Sequence, residues 1–443
     1  MSAIEALGAP LTLPSGAVMP NRFAKAPMEE VLSTFGGGPP NEKLYTLYQR
    51  WSKAGWGMIL TGNINVDERY LGLPFDVVIP GPDMPKRRNR YLPAFRKFAE
   101  SIKGDGADGK RPLAIAQINH TGRQSMRGSG RAPWTPNIAP SPVGVTTGKS
   151  KTLDAAMFGT PKEMTKEDIA EVIARFATGA AYCHEAGFDG VELHAAHGYL
   201  LSSFLNPQVN RRTDEYGGSA EKRFRIIREI IEETRKLVPK SFVIGIKLNS
   251  GDFVQGGQTE DDALQNVQWL ADTRAVDFVE ISGGSYENTS FMGSARSVRR
   301  EGFFREFAQR CHSVLGDSGM RVIVTGGFVT RKGMGAAVAS GDADAIGVGR
   351  ASALDPELPI HFLDASIPDD KAEAPDWDVN IPTWLPNIPM VGSSWRILWY
   401  DAQIGRISSN QEPLEGLSMA WFMFYTSARM LIDLPWRLLD REW

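Results

Sequence analysis

Eight short runs of apolar, β-favouring residues, each followed by an amphipathic helical pattern, constrain this chain more than any other feature. The predicted strands are Arg22–Lys25, Met58–Thr61, Leu113–Ile118, Gly190–His194, Val243–Leu248, Phe278–Ser282, Val322–Thr325 and Ala345–Val348. Helical periodicity follows near 41–54, 90–103, 166–186, 219–236, 259–274, 303–315, 330–340 and 354–364. The third helix has clear end signals. Thr165 can cap its N-terminus, Asp168 completes a capping box, and Gly187 supplies the C-terminal stop. Strict strand–helix alternation requires a parallel sheet with helices outside, and eight such units close into a (β/α)8 TIM barrel. The chemistry of that fold sits at the C-terminal ends of its strands.

Two stretches break the repeat. Residues 121–164 form a long insertion rich in Gly, Pro, Ser and Thr after the third strand, and a lid is expected there. The chain from Ser366 to Trp443 carries seven of the eleven tryptophans. The expected organisation is therefore a barrel over 1–365 and an aromatic-rich extension over 366–443. Such a density of tryptophan is not left in water. The extension packs on its own barrel, on a second subunit, or in a membrane interface, and sequence leaves these three open.

The 443 residues carry a formal net charge of −3, so nothing points to nucleic acid as a partner. Cys183 and Cys311 fall inside predicted helices and read as buried free thiols. Two cysteines cannot hold an iron–sulfur cluster, which takes four ligands. No secretory leader is evident in Met1–Pro20, and no run of about 20 apolar residues is present. A cytoplasmic monomer or homodimer without a transmembrane span is expected, with peripheral membrane contact left open.

The most informative ten residues are Gly190 to Tyr199. A strand delivers His194 at its end. His197 follows on the turn, and Tyr199 two residues later. Two imidazoles can donate to one substrate oxygen, and a phenol can supply a proton. A metal pair is the competing reading, because Glu192 shares the strand face of His194. The remaining histidines, His120, His184, His312 and His361, do not complete a ligand set, so no metal is expected.

Glycine-rich loops end the last two strands, at Thr325-Gly326-Gly327 and at Gly347-Val348-Gly349-Arg350. Backbone N–H groups there can approach a phosphate, and Arg350 can add a charge-assisted bond. Gln117 and Lys247 lie near the ends of the third and fifth strands. A reduced flavin would partner that lysine; an ion pair with Glu192 or Asp252 is the alternative.

Four segments carry a resemblance. They are Asn21 to Met28, Gln117 to Gln124, His194 to Tyr199, and Phe204-Leu205-Asn206-Pro207 continuing through Asn210 to Ser219. Together they resemble the old yellow enzyme family, FMN-dependent ene-reductases of the NADH:flavin oxidoreductase group, over roughly residues 8–365. The resemblance implies FMN contacts at Ala26, Pro27, Met28, Glu29, Asn63, Gln117 and Lys247, and phosphate contacts at Gly326, Gly327, Gly349 and Arg350. It implies that His194 and His197 hold the substrate oxygen and that Tyr199 donates the proton. The reductant would be NADPH or NADH, and the substrate a small α,β-unsaturated carbonyl compound reduced by a ping-pong mechanism. Redox-neutral isomerisation or desaturation on the same flavin is the alternative chemistry, and a flavin-binding interaction protein the alternative class.

Three positions depart from the family pattern. Glu29 stands where Thr or Cys is usual, Asn63 replaces a small residue, and Lys247 replaces the commoner Arg. A charged Glu29 beside the flavin C4 carbonyl would lower its reduction potential. Protonation of Glu29, or an ion pair with Lys25 or Arg123, would cancel that effect.

Overall fold

The computed structural model describes residues 1–147, 150–252, 255–283, 304–377, 379 and 395–418. Eight parallel strands form a closed ring: β1 (Phe23–Lys25), β2 (Met58–Leu60), β3 (Leu113–Asn119), β4 (Gly190–Ala195), β5 (Val243–Asn249), β6 (Phe278–Ser282), β7 (Arg321–Thr325) and β8 (Ala345–Val348). Each strand pairs with the next, and β8 pairs with β1 to close the barrel. Helices α1 (Glu42–Ser52), α2 (Pro85–Lys103), α3 (Lys166–Glu185), α4 (Ala220–Leu237), α5 (Glu260–Thr273), α6 (Arg305–Val314), α7 (Arg331–Ala339) and α8 (Leu358–Leu363) lie outside the ring. This is the (β/α)8 barrel that the alternation predicts.

The apolar interior fixes which end of the barrel is open. A short hairpin pairs Leu11 with Met19, and Leu11, Leu13 and Met19 pack beneath Met58, Leu60, Ile115, Val243, Phe278 and Ile323. These residues fill the N-terminal half. Gly245 makes room for this layer, because a Cβ there would lie 2.1 Å from the Phe278 ring. Period-two alternation then places Gln117, Glu192, His194, Lys247, Glu280 and Ser282 on the inward face of the C-terminal half.

The predicted elements shift at their ends for local reasons. β3, β4 and β5 run one residue past the predicted limits, to Asn119, Ala195 and Asn249. Helix α2 begins at Pro85, five residues before its predicted start, since proline suits the first helical turn, where no N–H bond is needed. Helix α8 shrinks to six residues and begins only at Leu358, with Pro359 in its first turn, where proline is tolerated.

The insertion is structured in its described part. Ile138–Ala139 pairs with Lys162–Glu163, and Lys151–Met157 is helical. Asn137 ties it together by donating to the carbonyls of Arg123, Ser125 and Phe158. Val145 and Phe158, with Met126 and Met157, form an apolar cluster around Tyr199.

The extension is joined to the barrel in its described part. Ala374 N–H donates to Val329 O, Arg331 N–H donates to Ala372 O, and the Arg331 guanidinium pairs with Asp369 at 2.6 Å. A further helix, α9 (Trp395–Ile407), lies against α1 and the 350–353 turn. Trp399 is buried, meets Trp377 edge-on at 6.3 Å, and donates its indole N–H to Leu417 O. Trp384, Trp421, Trp436 and Trp443 lie outside the described residues. Cys183 and Cys311 are buried free thiols, and burial pushes both up to about 12. No helix among the described residues is long and apolar enough to cross a membrane.

Candidate active site

His194 is inward-facing at the end of β4, and the chain turns immediately after it. His197 has φ of 59° and Gly198 φ of 79°, so two consecutive residues are left-handed. For a residue with a Cβ that conformation costs about 1–2 kcal/mol. Contacts on three sides surround His197 there. Its N–H donates to Asn249 Oδ1 at 3.3 Å, its Nδ1 lies 3.3 Å from His194 Nε2, and its Nε2 lies 3.1 Å from Ser282 Oγ.

These contacts constrain the tautomers. Ala196 N–H donates to His194 Nδ1 at 3.3 Å, so the His194 proton resides on Nε2. The Ser282 hydroxyl can donate to His197 Nε2, which leaves His197 Nδ1 as the protonated nitrogen. Two N–H groups then converge on one point between the rings. Both imidazoles are neutral. Burial, the neighbouring His197 and the Lys247 charge hold His194 well below its ordinary value, and burial with Lys247 lowers His197 to about 3.

Tyr199 stands beside them, its ring centroid 4.7 Å from that of His194. Its hydroxyl donates to Glu29 Oε1 at 2.9 Å. Asn63 Nδ2 donates to the same oxygen at 2.8 Å and lies 3.4 Å from the phenol oxygen. Glu29 and Asn63, two of the departures noted in the sequence, are thus bonded to each other and to Tyr199. The ion pairs considered for Glu29 are replaced by this arrangement: Lys25 Nζ instead donates to Leu60 O, and Arg123 Nη1 to Gly144 O.

Below the histidines lies a charged layer. Lys247 Nζ pairs with Glu280 Oε1 at 2.8 Å, and Gln117 Nε2 donates to Glu192 Oε2 at 2.6 Å. The counter-ion of Lys247 is therefore Glu280 on the next strand, not Glu192 or Asp252. Burial and repulsion from Glu280 drive the Glu192 carboxyl well up, whereas Lys247 keeps Glu280 below its ordinary value. Glu192 is the neutral acid of the pair and Glu280 the carboxylate. Among the described residues no three His, Cys, Asp or Glu groups come together to hold a metal ion.

The rim of the barrel carries the two glycine loops. Gly326 and Gly327 have φ of 121° and 77°, which side chains rarely adopt. A Cβ on Gly349 would come within 3.9 Å of the Met28 side chain, so the β8 loop and the segment after β1 approach closely. Ala26 N–H donates to Val348 O and fixes that segment. Pro27 and Met28 remain partly exposed on it, as do Gly326, Gly327, Gly349 and Arg350 on their loops.

Residues 6–365 match the model of the NADH:flavin oxidoreductase / NADH oxidase family. The chain belongs to this family. It is 38% identical over 367 residues to the NADH-dependent flavin oxidoreductase iliE of Neonectria sp. (strain DH2), covering 80% of this chain and 46% of that protein. The protein of the same name from Hypocrea jecorina (strain QM6a) is 36% identical over 385 residues, covering 83% of this chain and 93% of the relative. This chain thus spans less than half of the Neonectria relative but nearly all of the Hypocrea one. An old yellow enzyme homologue from Zymomonas mobilis shares the fold, with a TM-score of 0.64 at 21% identity, over 83% of this chain and 99% of that one. The family is flavin-dependent and uses a reduced nicotinamide, so this chain is an oxidoreductase of that kind.

Sequence reasoning did not single out Ser282, Asn249 and Glu280 as site residues. Period-two alternation would have placed all three inside the barrel, since β5 and β6 were predicted within one residue of their observed limits. Asp401 was missed as well. It reaches the neighbourhood of Glu29 from α9, and no pattern in the extension announces that.

Proposed function

We propose that this chain is an FMN-dependent reductase of the C=C bond of α,β-unsaturated carbonyl compounds. One observation carries the reading: two neutral imidazoles lie 3.3 Å apart, with a phenol beside them, at the open end of a flavoenzyme-family barrel.

The residues present fit FMN. Asn63 Oδ1 is buried without a partner, and Gly326 and Gly327 after β7 have left-handed φ that side chains rarely adopt, which lets backbone N–H groups approach a phosphate there. Ala26, Pro27, Met28, Asn63, Gln117 and Lys247 would hold the ring system, and Gly326, Gly327, Gly349 and Arg350 the phosphate. When bound, FMN supplies hydride taken from NADH or NADPH.

His194 Nε2–H and His197 Nδ1–H would bind the carbonyl oxygen, draw electron density from the β-carbon, and stabilise the enolate charge on oxygen. Because both rings are neutral, they stabilise this charge as hydrogen-bond donors. Tyr199 would give its proton to the α-carbon. The apolar cluster of Val145 and Phe158 would keep water from that side, which gives the insertion the role of a lid. Nicotinamide and enone would occupy the same pocket in turn, hence a ping-pong scheme. The barrel over 1–365 would carry all the chemistry, with the extension over 366–443 as a buttress.

The test is anaerobic turnover of a simple cyclic enone with NADH, with NADPH, and without nicotinamide. The saturated ketone is expected with at least one nicotinamide and none without. A rearranged double bond formed without nicotinamide would replace this reading by an isomerase.

A further inference from the structure

A phenol that gives up its proton inside this pocket must be recharged. Tyr199 is 3% exposed, and a phenolate there would be poorly solvated. Its hydroxyl lies 2.9 Å from Glu29 Oε1, and Asn63 bridges the two. Glu29 in turn keeps part of its surface open to solvent. One path from water to the phenol therefore leads by way of Glu29.

We propose that Glu29 is the proton reservoir of Tyr199, a positioning residue that reloads the phenol after each turnover, with Asn63 holding the two in register. This rests on Tyr199 being the proton donor. The steps balance in protons and involve no change of oxidation state. The Tyr199 O–H bond breaks as the α-carbon C–H bond forms. The Glu29 carboxylic O–H bond then breaks as the Tyr199 O–H bond re-forms. Water finally returns a proton to the Glu29 carboxylate.

The surroundings keep the reservoir loaded. Burial raises the Glu29 carboxyl, Tyr199 and Asn63 oppose the rise, and the Glu30 charge adds to it. Glu30 itself bonds to Tyr48 and to Gly62 N–H, and is tempered by Lys25. Asp76 and Asp401 are both pushed well up, with Glu29 among the causes. Asp401 comes from α9, and its Oδ2 is buried without a partner. Of these carboxyls, Glu30 opposes the ionisation of Glu29, and none of the three carries a positive charge that would favour it. The neighbouring His194 is neutral and does not offset them.

The sign follows. Below its raised pKa, Glu29 is protonated and can donate toward the Tyr199 oxygen, freeing the phenol hydrogen for substrate. Above it, the carboxylate holds the phenol hydrogen to itself.

The test compares wild type, Glu29→Gln, Glu29→Asp and Tyr199→Phe as FMN-loaded enzymes. The enone-dependent half-reaction is followed against pH and normalised to bound flavin. In the wild type the rate should fall as pH rises through the range in which an infrared carboxylic-acid carbonyl band disappears. Glu29→Gln should lose both the band and the pH dependence, and slow by up to about 10²-fold. Glu29→Asp should restore part of the pH dependence at a shifted midpoint.

A wild-type rate independent of pH, or a Glu29→Gln profile matching wild type, overturns the proposal. The infrared titration of the wild type keeps the test open should a variant fail to fold. If Tyr199→Phe slows the half-reaction while Glu29→Gln does not, the reservoir fails alone. If Tyr199→Phe matches wild type, the donor role of Tyr199 fails and the reservoir with it.

Discussion

At the scale of single residues, the site depends on keeping its histidines neutral. An imidazolium pair buried above the Lys247–Glu280 layer would add positive charge beside Lys247, and burial penalises it further. His194 and His197 therefore titrate far below the ordinary histidine range of about 6.5. A phenolic ligand that mimics the substrate oxygen should bind with no break in affinity near pH 6.5. His194→Ala should retain FMN, weaken that ligand, and slow enone reduction by about 10²–10³-fold, the usual loss for one donor to a developing oxyanion. Spectral titration and stopped-flow traces check both expectations. Near-normal binding and rate in the variant would remove the oxygen clamp.

At the scale of elements, the barrel was legible because its signals are local. Apolar runs and capping residues such as Thr165 and Asp168 set β4 and α3 to within a residue or two. Glu280 and Ser282 escaped notice for a different reason. A lone acid or serine on a strand reads as ordinary until its neighbours across the barrel are known, and those neighbours come from distant sequence. The Glu29–Tyr199 bond joins residues 170 apart, and nothing local announces it. The place of α9 is likewise tertiary: the helix lies against α1 and the 350–353 turn, and Trp399 is buried beside Trp377 with its indole N–H on Leu417 O. If α9 is an integral buttress, Trp399→Ala should cost about 3–5 kcal/mol, as large aromatic truncations in a core do. Denaturant titration would read this as a lower midpoint for the whole barrel. An unchanged barrel midpoint, with only α9 amides losing hydrogen-exchange protection, would mark α9 as a separately opening element.

At the scale of the whole molecule, the layers divide the work. The hairpin at Leu11 and Met19 seals one end of the barrel, the polar layer of Glu192, Lys247 and Glu280 forms the floor of the site, and His194, His197 and Tyr199 stand above it. The insertion closes around Tyr199, and α9 brings Asp401 close to Glu29 from outside the barrel. On this account, hydride and proton reach the substrate from different sources: nicotinamide by way of the bound flavin for the β-carbon, and solvent by way of Tyr199 for the α-carbon. Isotope labelling separates them. With nicotinamide deuterated at its transferable position in ordinary water, the saturated ketone should carry deuterium at the β-carbon alone. With unlabelled nicotinamide in deuterium oxide, deuterium acquired in turnover should appear at the α-carbon alone, once exchange of the free ketone is subtracted. A product that carries no label from nicotinamide, or takes its α-hydrogen from it, would contradict the account.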